Sequence, residues 1–218
     1  MIAAAGMDLV DWNAGPLAWL NQGQHAANDG MPGADSDNAC LLRYRRGDIQ
    51  AFGTLYQRYR ERLHRYALRL AGNAAEAEEV CQETWIAAIR SHDRFDATAS
   101  FAAWLFSIAH RRAADRWRAL RRHAPDGLLG DDAEDGALSV SDPTPSPERQ
   151  WYSRNMGQAL LDAIDRLPLL QREAFLLKAE GNLSLEEIAI ATETSRETVK
   201  SRLRYAQQRL RDAMEPWR

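Results

Sequence analysis

Residues 184–210, SLEEIAIATETSRETVKSRLRYAQQRL, admit few folds. Ser184 can cap a helix, and Glu187 three positions on completes a capping box. Leu185, Ile188 and Ala189 then share one face. The periodicity breaks at Thr192-Glu193-Thr194, and Ser195 can cap a second helix with Val199, Leu203 and Leu210 as its inward stripe. Arg196, Lys200 and Arg204 recur every fourth residue on another face, with Gln207 and Gln208 beyond them. Two arrangements satisfy this pattern. One is a helix-turn-helix whose second helix enters a major groove, where Arg and Lys reach guanine edges and phosphates. The other is a surface helical hairpin with a solvated charged face.

The formal net charge of -3 conceals a strong segregation. Residues 1–39 hold five acids (Asp8, Asp11, Asp29, Asp35, Asp37) and no Lys or Arg. Residues 40–122 hold sixteen Arg against nine acids. Residues 123–149 hold seven acids and one Arg, and residues 150–218 are nearly balanced. A basic block between acidic ones suits a polyanionic partner. Residues 1–39 are expected to be mostly disordered, apart from an apolar island of Leu9, Val10, Trp12, Leu17, Trp19 and Leu20. That island is either a docking element or a solvated tail, and Met7 and Met31 are alternative starts. Cys40 and Cys81 make neither a disulfide framework nor a zinc site. No apolar run is long enough to span a membrane, and the N-terminus lacks a basic secretory n-region, so a cytoplasmic protein is expected.

Residues 40–122 read as a helical domain, with Leu55, Tyr59, Leu63 and Tyr66 at helical spacing and breaks at Gly47-Asp48 and Gly72-Asn73. Within residues 76–95, Val80, Trp85, Ala88 and Ile89 are expected to pack inward. Glu76, Glu79, Gln82 and Glu83 would form an acidic surface, which is either a protein-docking face or an ordinary solvated one. Residues 95–100, FDATAS, form a loop before a helix with Phe101, Trp104, Leu105 and Ile108 as its stripe. Arg111, Arg112, Arg116, Arg118, Arg121 and Arg122 near Trp117 suit single-stranded DNA. Phe106, off the stripe, is the aromatic expected to meet a base. Residues 123–149 form a flexible acidic linker rich in Gly and Pro. Residues 150–218 form a second helical domain, in which Gly181-Asn182 ends a helix. The expected fold class is all-α: two small helical domains joined by that linker. There is no phosphate-binding glycine loop, metal-ligand spacing or catalytic constellation, so neither an enzyme nor a cofactor is expected.

Three stretches together resemble the extracytoplasmic-function (ECF) sigma factors of the sigma-70 family. They are RRGDIQAFGTLYQRY with AEEVCQETW, then RFDATASFAAWLFSIAHRRAADRWR, then LPLLQREAFLLKAEGNLSLEEIAIATETSRETVKSRLRYAQQRL. The resemblance covers about residues 40–215. It implies a factor that binds core RNA polymerase, through its beta-prime and beta subunits, and promoter DNA. By its motifs, Glu79, Gln82 and Glu83 would bind the beta-prime clamp helices. The loop residues Phe95, Asp96, Thr98 and Ser100 would capture a flipped minus-10 base, and Phe106, Arg111, Arg112 and Arg116 would lie along that element. Arg196, Glu197, Thr198, Lys200, Ser201 and Arg204 would read the minus-35 duplex. The acidic linker would thread toward the polymerase active centre and RNA exit path, and an anti-sigma factor would be a further partner. Four positions depart from the family pattern. Arg111 stands where Asn is frequent, Glu193 where a glycine is usual, Thr192 and Thr194 where apolar residues are usual, and Tyr205 where Arg is common. The rival reading is a stand-alone helix-turn-helix regulator, which leaves Glu79 and Glu83 without a role.

Overall fold

The computed structural model describes residues 36–123 and 147–217, and among these it is helical throughout, with no strand. Residues 1–35 of the expected extension 1–39 and residues 124–146 of the expected linker 123–149 lie outside the described residues. The first domain comprises α1 (Asp37–Arg45), α2 (Ile49–Ala71), α3 (Ala74–Ser91), a 3-10 turn (His92–Arg94) and α4 (Phe101–His123). The second comprises α5 (Pro147–Asp165), α6 (Leu169–Ala179), α7 (Leu185–Ala191), α8 (Arg196–Ala213) and a closing 3-10 turn (Glu215–Trp217).

Polar caps set most of the boundaries. Ser36, Asp48, Asn73, Ser184 and Ser195 each accept a hydrogen bond from a first-turn amide. Gly72 ends α2 with φ 77°, a left-handed conformation that glycine adopts without steric cost. The first domain therefore starts before Cys40, because Ser36 and Asp37 already belong to a capped helix whose Cys40 and Leu41 are buried.

α2 is the spine of the first domain. Its buried residues Ala51, Leu55, Tyr59, Leu63, Tyr66 and Ala67 keep helical spacing, and α1, α3 and α4 pack around them. Thr84 is fully buried, but its hydroxyl donates to the Val80 carbonyl one turn earlier at 2.6 Å, so that hydroxyl is satisfied. Ile89, expected inside, is instead 42 % exposed. Cys40 and Cys81 form no disulfide, and burial, reinforced by nearby Glu78, pushes Cys81 up to about 11.

The two domains pack on each other. α4 lies against α7 and α2 against α6, and one hydrophobic cluster runs through both units. The capping box expected at Ser184 and Glu187 is present. Two turns differ in mechanism from the sequence reading. α6 ends at Ala179, and Asn182, not Gly181, carries the left-handed φ of 54°. Gly181 serves close approach instead, since a Cβ there would sit 2.5 Å from the Leu177 carbonyl oxygen and from Leu183 Cδ1. Between α7 and α8, Glu193 takes φ 51°, a left-handed conformation that loads strain onto a side-chain-bearing residue.

These two positions predict opposite outcomes. Glu193→Gly relieves the left-handed penalty and should raise stability by about 1 kcal/mol. Gly181→Ala should lower it by at least about 1 kcal/mol, because backbone must shift. Urea unfolding midpoints would check both.

Candidate nucleic-acid interface

The acidic face lies on α3. Glu79, Gln82 and Glu83 project from successive turns, and Ile86, 47 % exposed, extends the same face. Arg116 of α4 reaches across to it. Its Nε donates to Glu76 Oε2 at 2.6 Å, and its Nη1 lies 3.9 Å from Glu79 and 3.7 Å from Glu83. The hydrogen bond to Glu76 raises the guanidinium pKa above its ordinary value. Arg116, grouped by sequence with the single-strand arginines, thus belongs to the acidic cluster in this conformation. Ile89 was missed as a surface residue because an apolar residue in a helix is read as core by default, and Ile86 received no assignment from the sequence.

The 95–100 loop is held from both ends. Phe95 is buried and meets Trp104 edge-on at 5.3 Å, so it anchors the loop. Asp96 accepts from the Thr98 amide at 2.9 Å, and that bond holds its carboxyl below the ordinary aspartate value. Asn38, on α1, does most of the fastening. Its Nδ2 donates to the Ala97 and Ala99 carbonyls at 3.1 and 2.8 Å, and its Oδ1 accepts from the Phe101 amide at 2.9 Å. Asp37 in turn pairs with Arg58 at 2.7 Å and accepts from the Tyr59 hydroxyl. Sequence reasoning missed both residues by assigning them to the extension; the Ser36 capping signal ahead of Cys40-Leu41 was the available clue.

Phe106 requires a correction. It is fully buried, edge-to-face on Tyr66 with centroids 5.4 Å apart, and cannot meet a base without leaving the core. α4 packs against α1, α2 and α3 on one side and α7 on the other, so it buries more than one stripe. Arg111 is exposed and Arg112 half-exposed, and neither forms an ion pair among the described residues. The side chains of Arg121 and Arg122 lie outside the described residues.

On α8, Arg196, Glu197, Lys200, Ser201 and Arg204 face outward. Arg196 is tied to Glu186 across the turn and lies 3.5 Å from Glu197. Thr198 is half-buried and spent on the cap, with its amide donating to Ser195 Oγ at 3.1 Å. Lys200 forms no ion pair among the described residues, and Arg204 stacks over Tyr205 at 4.9 Å, so the aromatic at the departing position supports a cation. Lys200 and Arg204 are therefore cations of the outward face that form no ion pair among the described residues, and Arg202 and Arg209, elsewhere on the helix, likewise form none.

The two candidate DNA elements are joined in this conformation. Ser100 Oγ, at the end of the loop, donates to Glu187 Oε1 at 2.6 Å, the same carboxylate that closes the α7 capping box. Part of the basic block is also spent internally. Arg62 donates to the Glu180 carbonyl at 2.6 Å, Arg65 pairs with the Glu180 carboxylate at 2.8 Å, and Arg69 pairs with Asp165 at 2.6 Å. His110 meets Glu173 at 2.8 Å on the opposite side of the contact.

Residues 55–123 match Sigma-70 region 2 and residues 157–210 match Sigma-70, region 4. The RNA polymerase sigma-H factor of Pseudomonas aeruginosa is 31 % identical over 185 residues, covering 84 % of this chain and 95 % of that one. RNA polymerase sigma factor NccH of Alcaligenes xylosoxydans xylosoxydans is 34 % identical over 177 residues, covering 80 % and 92 %. Among solved structures, the sigma factor RpoE in complex with the anti-sigma factor NepR from Bartonella quintana shares the fold. Its TM-score is 0.63 at 22 % identity, covering 77 % of this chain and 98 % of that one. CnrH in complex with the cytosolic domain of CnrY gives a TM-score of 0.56 at 21 % identity, covering 83 % and 97 %. The chain belongs to the ECF sigma factors of the sigma-70 family.

Two outcomes test the loop's supports. Asn38→Ala removes three hydrogen bonds and should cost about 1–3 kcal/mol, with amide exchange accelerating at Ala99 and Phe101. Burial raises the Glu187 pKa, but the bonds from Ser100 and Ser184 outweigh it and leave the carboxyl below its ordinary value. Its stabilising contribution is therefore present at neutral pH and lost as pH falls through that lowered value. The Ser184 amide shift should follow this titration by NMR, and Ser100→Ala should move the midpoint upward.

Proposed function

We propose that this sigma factor docks on core RNA polymerase through the Glu79–Gln82–Glu83 face, with Ile86 and Ile89 adding apolar area. α8 enters the minus-35 major groove with Lys200 and Arg204 on base edges and phosphates. The 95–100 loop and the exposed Arg111 and Arg112 engage the unpaired minus-10 strand. The observation that carries this reading is the outward recognition face of α8 on the same chain as an outward acidic face that duplex DNA would repel. A stand-alone regulator uses the first and not the second.

Melting needs no catalytic group on this reading. Binding of an extruded base offsets an unpairing cost of a few kcal/mol. The closed arrangement must open first. Elements named minus-35 and minus-10 lie about 25 base pairs apart, or roughly 85 Å along B-DNA, whereas Ser100 touches the α7 cap directly. The cross-domain pairs are partly solvated, with Arg65 48 % exposed, and such pairs are worth about 0–1 kcal/mol each. Exchange for polymerase contacts is therefore energetically accessible. An anti-sigma factor would act by holding the closed arrangement. The site of action is the compartment of the polymerase, the cytoplasm, and no helix among the described residues is long and apolar enough to cross a membrane.

Glu79→Lys with Glu83→Lys should weaken binding to core polymerase at least tenfold while the thermal melt stays within a few degrees. Unchanged affinity, by fluorescence anisotropy, would remove this face from the interface. Lys200→Ala with Arg204→Ala should reduce in vitro transcription chiefly at promoters carrying a minus-35 element, and lower the salt slope of promoter binding by about 2. An equal loss at promoters lacking that element would count against groove reading by α8.

A further inference from the structure

A cleft of about 350 Å³ opens between the domains. Val80, Ala113 and Trp117 form its wall on the first domain, and Leu170, 52 % exposed, its wall on the second. Of its charged lining residues, Glu76 pairs with Arg116, Arg118 pairs with Asp115, and Glu173 lies 2.8 Å from His110. Arg202, also in the lining, forms no ion pair among the described residues. The cleft thus suits a short apolar segment, with Arg202 available to an acidic residue of that segment.

The chain contains such a segment. Leu9, Val10, Trp12, Leu17, Trp19 and Leu20 fall within twelve residues, beside Asp8 and Asp11, and residues 1–35 have no Lys or Arg. The described core closes without them. Reach is sufficient. The chain leaves the described region at Ser36, next to Asp37, which is fastened to Arg58 and Tyr59 on α2. Leu70, at the cleft, lies eleven residues farther along that helix, about 17 Å away. The fifteen residues 21–35 can span up to about 50 Å. A tethered segment acts at an effective concentration in the millimolar range, so a weak contact suffices.

We propose that the segment around Trp12 and Trp19 docks in this interdomain cleft of its own chain. It bridges the α3–α4 wall to α6 and opposes separation of the domains. Glu76 and Arg116 belong both to the cleft and to the α3–α4 surface that carries Glu79 and Glu83, so a docked segment competes with polymerase. This last consequence rests on the function proposed above; the docking itself does not.

The test uses a chain beginning at Gly33, which keeps the Ser36 cap, and a labelled peptide of residues 1–30. By anisotropy, the peptide should bind the shortened chain saturably and the full chain at least tenfold more weakly, because the full chain fills its own cleft. A full chain with Trp12→Ala and Trp19→Ala should bind the peptide as the shortened chain does. Leu170→Glu in the shortened chain, at an exposed position, should reduce binding at least tenfold with an unchanged melt. No saturable binding, or equal binding to the Leu170→Glu variant, overturns the proposal. A full-length dimer by sedimentation that becomes monomeric in the shortened chain overturns it in favour of a second copy as occupant. Core polymerase should bind the shortened chain at least fivefold more tightly. Peptide docking with no such gain upholds the intramolecular site and overturns the competition.

Discussion

The arrangement depends on α2, a 23-residue helix that serves two cores. Its apolar stripe, from Ala51 to Ala67, organises the first domain. Its arginines at 62, 65 and 69, spaced three and four apart, grip the ends of α5 and α6 through Asp165 and Glu180. An α-helix repeats every 3.6 residues, so one helix can present a continuous apolar face and a continuous charged face without conflict. Loss of the apolar face would unfold the first domain, whereas loss of the charged face would weaken the contact with the second, which also shares a continuous hydrophobic cluster.

On the function proposed above, that division of labour suits a protein that holds two candidate DNA elements together and then separates them. Tight packing keeps each domain intact. Across the contact, partly solvated ion pairs and the Ser100–Glu187 bond contribute small increments that water or a partner can replace. Glu187 has a double role, since it caps α7 and receives the loop hydroxyl. The shape of the recognition unit and the closure of the molecule therefore share one carboxylate.

Much of the candidate interface was legible in the chain because caps and turns are local. Ser184 with Glu187, Ser195, Asp48 and Asn73 act within three residues of themselves, and such signals survive without knowledge of the fold. The outward face of α8 followed from periodicity alone. Phe106 was misplaced because periodicity assumes one buried stripe, and α4 has neighbours on two sides. Ile89 was misplaced for the converse reason: an apolar residue was taken as core where α3 presents an open face.

Sequence alone determined the all-helical class, the helix-turn-helix with its caps, and the resemblance to the sigma family, because these rest on short-range spacing and on motif order. Only the tertiary structure decided what the charged residues do. Asn38 fastens a loop some sixty positions away, Arg116 turns to the acidic cluster, and Arg62, Arg65 and Arg69 bind protein rather than lying open to a polyanion. A charge in a sequence has a sign and a reach but no partner. Its partner is set by which helices pack together, and that is fixed by the summed burial of the core rather than by any local pattern.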